Sequence, residues 1–220
     1  MAKKGKKQQN LNDRRKEKNY NSEGKGKIKR KEPSFLIVCG GVNTEPSYFG
    51  GFRFEAFGFG CDARSVVTEA EKKARKEEYD QIWCVFDKDD DPHFNEAIKE
   101  AEKKGFKVAY SNQAFEYWII LHFDDHQGGP MHRDQYHDKV NQLLKPYNVA
   151  YDGKGSKKIS DQLFELLDSR DEKTGKERIR LAIERAKRIY NRYDHTNPSA
   201  EESSTTVFEL VEEILKFRKP

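Results

Sequence analysis

The sequence predicts an α/β fold, a mostly parallel sheet flanked by helices, followed by a helical C-terminal half. Residues 35–39 and 82–86 are continuous apolar runs short enough for buried strands, and residues 106–110 alternate between apolar and polar. Helix-like segments separate these three runs. Because strands alternating with helices at short intervals form βαβ units, the strands are expected to lie parallel in one sheet.

The remaining elements follow in chain order. Gly40 and Gly41 end the first strand, and a helix is expected to begin at Thr44, which is placed to cap it, with Pro46 in the first turn. The aromatic, glycine-rich stretch 54–61 gives no clear prediction. A second strand is predicted near 62–67, and helical patterns are predicted at 68–78, 95–104, 114–123, 133–146, 159–169, 176–193 and 204–217.

Composition indicates a water-soluble protein. Charged residues make up 36% of the chain, and the mean hydropathy is −1.04. No apolar run reaches the ~20 residues that cross a bilayer, and no signal-peptide pattern is present. Cys39, Cys61 and Cys84 lack the spacing of a metal site. A cytoplasmic protein with reduced thiols and no membrane contact is therefore expected.

Charge is distributed unevenly along the chain. Residues 1–33 hold 13 Lys and Arg against 4 Asp and Glu, whereas the rest holds 29 basic and 34 acidic residues. The first segment has too few apolar residues to form a core, so it is predicted to be a disordered basic tail. Such a tail either contacts nucleic acid through its phosphates or serves only to keep the protein soluble.

The acidic segment Asp87-Lys88-Asp89-Asp90-Asp91 directly follows the apolar run 82–86. Gly40-Gly41 and Ser111-Asn112 follow the other two strands, so all three segments should meet at the carboxyl edge of the sheet, where ligands of such sheets bind. Clustered carboxylates repel one another unless a cation neutralises them, and Mg²⁺ prefers oxygen ligands. The alternative is a polar turn that merely ends a strand.

Specific roles can be predicted for several of these side chains. Residues two apart in an extended segment point the same way, so Asp87 and Asp89 are expected to hold one Mg²⁺ or Mn²⁺. Asp91, which precedes Pro92, is expected to cap the next helix. Glu116 is either a residue that orients a metal ligand or substrate, or a structural partner of an arginine or of a neighbouring backbone group. His122 is expected in the core.

Four segments of the chain together resemble the RloB/AbiLii family, whose core is similar to the Toprim fold. They are Phe-Leu-Ile-Val-Cys-Gly-Gly-Val-Asn-Thr-Glu-Pro-Ser-Tyr-Phe at 35–49, Phe-Asp-Lys-Asp-Asp at 86–90, Ser-Asn-Gln-Ala-Phe-Glu-Tyr-Trp-Ile-Ile-Leu-His-Phe at 111–123, and Asn-Pro-Ser at 197–199 with Thr-Thr-Val at 205–207. The resemblance implies a Toprim-like core at 34–123 and a helical C-terminal extension at 124–220 packed on it.

The resemblance also implies a function. Members of this family are expected to act in prokaryotic anti-phage defence by abortive infection, with an ATPase partner of the ABC or AAA type. Toprim-like members are expected to be metal-dependent endonucleases, and RNA such as tRNA is a more plausible target than DNA. Candidate catalytic residues are then Glu45, Asp87, Asp89 and Glu116, with Asp87 and Asp89 as the metal ligands. Whether the protein forms a homo-oligomer is left open.

One departure from the family pattern bears on catalysis. The family commonly has a Glu between the Cys and the Gly that end the first strand, and here that position is Gly40. Glu45 lies five residues on and is the candidate to supply a carboxylate instead. The alternative is a catalytically impaired binding subunit that docks nucleic acid or the ATPase. An aspartate phosphotransfer domain is a third alternative, but no acidic pair follows the first strand.

Overall fold

The computed structural model describes residues 33–218, and a five-stranded sheet lies at the centre of this part of the chain. Its strands are β1 Phe35–Cys39, β2 Ala56–Gly58, β3 Gln81–Asp87, β4 Lys107–Asn112 and β5 Ser204–Thr205. The α-helices are α1 Thr44–Gly51, α2 Ala63–Ala74, α3 Phe94–Lys103, α4 Glu116–Leu121, α5 Arg133–Leu144, α6 Asp161–Asp168, α7 Arg178–Tyr190 and α8 Val207–Leu215.

The strand order is β2-β1-β3-β4-β5, and the first four strands are parallel. In the register, Cys39 lies opposite Val85, and Asp87 lies opposite Ser111. The chain therefore leaves β1, β3 and β4 at one edge of the sheet, as predicted. This five-stranded, mostly parallel sheet with flanking helices confirms the predicted fold class.

The short strand β5 completes the sheet on the far side of β4. It runs antiparallel, with Ser111 opposite Thr205. The N–H and carbonyl of Tyr110 bond to the hydroxyl and N–H of Thr206 at 2.9 and 2.8 Å. Because residues 204–205 are used in this pairing, the last helix begins at Val207, and the prediction of a helix from residue 204 is wrong at its start.

Apolar side chains alternate between the two faces of the sheet and form a core on each. On one face Leu36, Val38 and Phe86 pack against α2 and α3. On the other face Ile37 and Val85 belong to a larger core that includes residues of α1 and α4 to α8. The larger core thus joins the strands near the start of the chain to the helices of its second half.

Two predictions about the segment between β1 and β3 are wrong. Residues 63–67 begin α2 rather than a strand, and the Asp62 carboxylate caps that helix by accepting the Ser65 N–H at 2.9 Å. The second strand is β2, inside the stretch left unassigned. Asn43, not Thr44, occupies the N-cap position of α1, and no side-chain cap bond forms there. The Thr44 hydroxyl instead donates to the carbonyl of Lys157 at 2.8 Å.

Arg178 is buried, although other basic residues of α7 are exposed. Its side chain is only 2% exposed, and its guanidinium lies 2.9 Å from the Asp171 carboxylate. It also donates to the Tyr147 hydroxyl at 2.9 Å and lies over the ring of Phe123. A buried cation is retained here because a carboxylate and aromatic faces surround it.

Within residues 33–218, no helix is both long enough and apolar enough to cross a bilayer. The basic tail predicted for residues 1–33, together with any contact it makes with nucleic acid, lies outside the described residues except for Pro33.

Candidate active site

A cavity of about 430 Å³ opens at the carboxyl edge of β1 and β3. Its walls come from the segment after β1, the acidic turn after β3, the start of α4 and the loop that contains Lys157. All four predicted catalytic residues line it: Glu45, Asp87, Asp89 and Glu116. A larger groove of about 770 Å³ runs beside α3 and α8 and is lined by none of them. We therefore place the candidate site in the smaller cavity.

Glu45 reaches the cavity from the first turn of α1 and is buried, with 3% of the residue exposed. Its Oε1 accepts the N–H of Gly41 at 2.9 Å, so the side chain folds back towards the end of β1. A Cβ at Gly41 would lie 2.7 Å from Oε1 and 2.8 Å from Cδ, closer than atoms can pack. The absence of a side chain at position 41 is thus what admits the carboxylate.

Asp87 is the last residue of β3 and lies among other acids. Burial raises the pKa of its carboxyl well above the usual range, and the charges of Glu45, Glu116 and Asp89 raise it further. Burial also raises the pKa of Glu45; its own N–H and that of Gly41 oppose the shift, and the Glu116 charge adds to it. Negative charge in this cavity is therefore costly to the folded protein unless a cation offsets it.

The acidic turn after β3 is not extended, although the sequence predicted an extended segment from Asp87 to Asp89. Asp89 has φ +42°, in the left-handed region, and its N–H donates to the carbonyl of Gln113 at 3.1 Å. The reasoning that Asp87 and Asp89 point the same way along a strand is therefore wrong. Both residues nevertheless line the cavity, because the turn bends Asp89 back over the sheet edge.

Asp91 does not cap α3 as an N-cap residue, since His93 occupies that position. Its Oδ1 accepts the His93 N–H at 2.8 Å, just before the helix, and its Oδ2 accepts the Ala63 N–H at 3.2 Å. The carboxylate thus ties the acidic turn to the start of α2. Asp90, in contrast, is exposed and does not line the cavity.

Glu116 is the first residue of α4, and a tyrosine from a distant loop orients it. The Tyr151 hydroxyl donates to Glu116 Oε1 at 2.7 Å and lies 3.1 Å from the Thr44 hydroxyl. Among the residues that the structure describes, the partner of the Glu116 carboxylate is therefore a tyrosine hydroxyl and not the arginine considered from the sequence. Tyr151 and Thr44 are site residues that sequence reasoning missed, and the sequence did not place Lys157 beside them, because up to 113 positions separate these residues along the chain.

Two histidines of the described chain, His122 and His195, do not line the cavity. His122 is fully buried, which confirms its assignment to the core, and its Nδ1 lies 2.9 Å from the carbonyl of Trp118. Burial lowers the pKa of His122 to about 4, so the ring is neutral at physiological pH. His195 stacks on Tyr190 and lies 3.0 Å from the Glu201 carboxylate.

The donor set of the cavity suits a hard divalent cation, because it consists of carboxylate oxygens. In the part of the chain that the structure describes, no three His, Cys, Asp or Glu side chains are grouped closely enough to hold a metal ion as they stand. Mg²⁺ is commonly held by one or two carboxylates while water fills its other positions. The arrangement therefore fits a site with few protein ligands better than a closed cage.

Comparison with known proteins identifies the family. A family model described as RloB-like protein matches residues 35–214, which covers both cores and every residue of the cavity. Searches of curated proteins and of solved structures found no match. Because the family match spans most of the sequence, from β1 to α8, this chain belongs to the RloB-like protein family.

Proposed function

We propose that this protein is a divalent-metal-dependent nuclease that hydrolyses phosphodiester bonds in the cavity between β1, β3 and α4. The observation that carries the proposal is the gathering of Glu45, Asp87, Asp89 and Glu116 on one cavity at the carboxyl edge of a mostly parallel sheet. The electrostatic cost of that gathering supports a role for a cation, since burial and mutual repulsion raise the pKa of Asp87.

Within this proposal, Asp87 and Asp89 hold the Mg²⁺ or Mn²⁺ ion. A bound cation would neutralise the phosphate and lower the pKa of a water ligand. Glu116 is oriented by the Tyr151 hydroxyl and faces the same space, which suits it to position water or substrate. Glu45 is held by the Gly41 N–H and supplies a further carboxylate from the α1 side.

The biological setting is proposed from the family resemblance. Like the Toprim-related proteins it resembles, the chain would act in anti-phage defence by abortive infection, on RNA such as tRNA in preference to DNA, and together with an ATPase of the ABC or AAA type. The predicted basic tail would add affinity for phosphates that is independent of base sequence.

The second candidate function is a binding subunit that has lost catalysis, and Gly40 favours it. A Cβ at Gly40 would lie 3.6 Å from Val66 and 3.7 Å from Phe86, on the face of the sheet that carries α2. Glu45 comes from α1, which packs on the other face, so it does not replace a side chain at position 40 atom for atom. A carboxylate is therefore missing from one wall of the cavity.

Cleavage of RNA and DNA substrates with Mg²⁺ or Mn²⁺ tests the first proposal. Asp87→Asn should abolish cleavage, by a factor of about 10³ or more if the metal is lost, whereas Asp90→Asn should leave it within about two-fold. Asp90 is a matched control because it lies in the same turn, exposed and outside the cavity. Equal activity in the parent and in Asp87→Asn would refute the assigned site.

Substitutions at Gly40 distinguish the two candidates. If the parent cleaves nothing and Gly40→Glu creates metal-dependent cleavage that Gly40→Gln lacks, the impaired-subunit reading is correct. The added Cβ would meet the Cys61 carbonyl oxygen at 3.2 Å, which a shift of a few tenths of an ångström relieves, so both variants are expected to fold.

A further inference from the structure

A basic loop at residues 152–158, Asp-Gly-Lys-Gly-Ser-Lys-Lys, forms one wall of the cavity through Lys157. Six carboxylates line that cavity, and Lys157 is the one cation among its lining residues in the described part of the chain. Lys154 and Lys158 belong to the same loop and, like Lys157, are exposed, but they do not line the cavity. Lys157 is therefore distinguished from its neighbours by position rather than by residue type.

The backbone of Lys157 is fixed on the helix that carries Glu45. The Thr44 hydroxyl donates to the Lys157 carbonyl at 2.8 Å, and the Ser47 hydroxyl accepts the N–H of Ile159 at the same distance. A third bond of 2.8 Å runs from the Lys157 N–H to the Asp152 carbonyl within the loop. Because Thr44 and Ser47 both lie on α1, this helix sets the position of Lys157 relative to the carboxylates.

The conformation of Lys157 is unfavourable for a lysine. Its φ is +53°, in the left-handed region, which costs a residue other than glycine or asparagine about 1 kcal/mol. Neither glycine of this loop is in that region, so the loop places lysine where glycine would fit better. Strain of this kind persists where the surrounding structure imposes it, and it is concentrated at functional sites.

The loop differs from glycine-rich loops that hold phosphate with backbone N–H groups. The Asp152 carboxylate accepts the N–H groups of Gly155 and Ser156 at 2.9 and 2.7 Å, so these donors are already used. These two N–H groups are therefore not offered to an anion in the cavity, whereas the Lys157 side chain carries a positive charge at its wall. Within the described residues, no salt bridge within 4.0 Å joins the Lys157 ammonium to a carboxylate, but its charge is felt in the cavity, where it opposes the rise in the pKa of Glu45.

We propose that Lys157 is a phosphate-binding residue: its ammonium contacts a non-bridging oxygen of the phosphodiester that enters the acid-lined cavity. This subsite deepens the nuclease function proposed above and rests on it. A single mobile ammonium recognises charge rather than base identity, so it contributes affinity and placement of the phosphate, not sequence preference.

Binding measurements on the full chain test this subsite without relying on cleavage. Fluorescence anisotropy with a labelled single-stranded RNA, in Ca²⁺, gives the affinity and its dependence on salt. Lys157→Asn should weaken binding about five- to ten-fold and reduce the slope of log affinity against log salt by about 0.7, the value for one lost phosphate contact on a single strand. Lys154→Asn removes the same charge from the same loop, and it should change neither the affinity for RNA nor the salt slope.

The choice of asparagine separates loss of binding from loss of folding. Asparagine tolerates the left-handed region, so Lys157→Asn should unfold at the same temperature as the parent or a higher one. Lys157→Arg, which keeps the charge, should recover most of the affinity. Equal affinities and salt slopes for Lys157→Asn and Lys154→Asn, or a parent that binds no RNA, would overturn the proposal.

Failure of this subsite and failure of the nuclease function give different results. Suppose that the parent cleaves RNA and Asp87→Asn does not, while Lys157→Asn binds and cleaves as Lys154→Asn does. This result would refute only the subsite. A parent that binds RNA through Lys157 but cleaves no substrate refutes only the nuclease function and leaves the binding subunit.

Discussion

Replacing Gly41 with alanine should disturb the candidate site without removing any of its charged groups. The new Cβ would lie 2.7 Å from Glu45 Oε1 and 2.8 Å from Cδ, so the carboxylate must swing away. It then loses the 2.9 Å hydrogen bond from the residue 41 N–H. The backbone itself accepts alanine, because the φ of Gly41 is not in the left-handed region.

The expected change in stability follows from two opposing effects. A hydrogen bond to a charged group contributes about 1.5–3 kcal/mol to the free energy of unfolding. Replacing glycine with alanine at a compatible position raises the free energy of unfolding by about 0.4–1 kcal/mol, because alanine restricts the unfolded chain. The net loss is about 0.5–2.6 kcal/mol, which for a domain of this size lowers Tm by about 1–10 °C.

Gly50→Ala provides the control for this experiment. Gly50 lies on α1, the same helix as Glu45, and no atom lies within 4 Å of the Cβ it would acquire. This variant should be stabilised by about 0.5–1 kcal/mol, because alanine favours helix and restricts the unfolded chain. The same chemical change, glycine to alanine, is thus expected to lower the free energy of unfolding at position 41 and to raise it at position 50.

Titration calorimetry measures how Gly41→Ala and Gly50→Ala change the affinity of the protein for Mn²⁺. Groups that orient metal ligands typically contribute 10- to 100-fold to affinity, so Gly41→Ala should weaken Mn²⁺ binding by about 10-fold or more while Gly50→Ala leaves it unchanged. Unfolding of Gly41→Ala at the parent temperature together with unchanged Mn²⁺ affinity would refute the role assigned to Glu45.

Two further predictions concern buried charge. Because the raised pKa of Asp87 makes the folded protein bind a proton more tightly than the unfolded chain, stability without metal should fall as pH rises from about 4 towards the folded pKa. Asp87→Asn removes the cost of a buried charge at this position. Without metal, the Tm of this variant should therefore exceed that of the parent at pH 8, and the difference should be smaller at pH 5. A difference in Tm that does not depend on pH would contradict this reasoning. Arg178→Met removes a buried guanidinium and its hydrogen bonds to Asp171 and Tyr147, so it should lower the free energy of unfolding in urea by about 1.5–3 kcal/mol. Arg180→Met, at a half-exposed position, should lower it by about 0.5 kcal/mol or less. Similar losses in both variants would show that the buried contacts of Arg178 add no stability.

The strands of the sheet differed in how well the sequence predicted them. β1 and β3 were predicted because continuous apolar runs are typical of strands buried on both faces. β2 was missed because three residues are too few to show a period, and β5 has only two. The Val66-Val67 pair favoured a strand, but the cap formed by Asp62 made this segment a helix.

The candidate site was predicted in part for a related reason. Its carboxylates follow strand ends, and a parallel sheet brings strand ends together whatever the details of the loops. Tyr151 and Lys157 come from a loop more than 100 positions beyond Thr44, which both contact, and one sequence contains no sign of such a pairing. The orientation of Asp89 was also not predictable, because it depends on a turn with positive φ.

The antiparallel strand β5 has a consequence for synthesis of the protein. It lies at residues 204–205, so the ribosome makes β1 to β4, the last of which ends at Asn112, well before this strand exists. Until then the backbone of Tyr110 lacks the partners that Thr206 later provides, and β4 remains an open edge able to pair with a neighbouring nascent molecule. Truncation upstream of residue 204 would make that exposure permanent, and tags or fusions should accordingly leave the carboxyl-terminal segment intact.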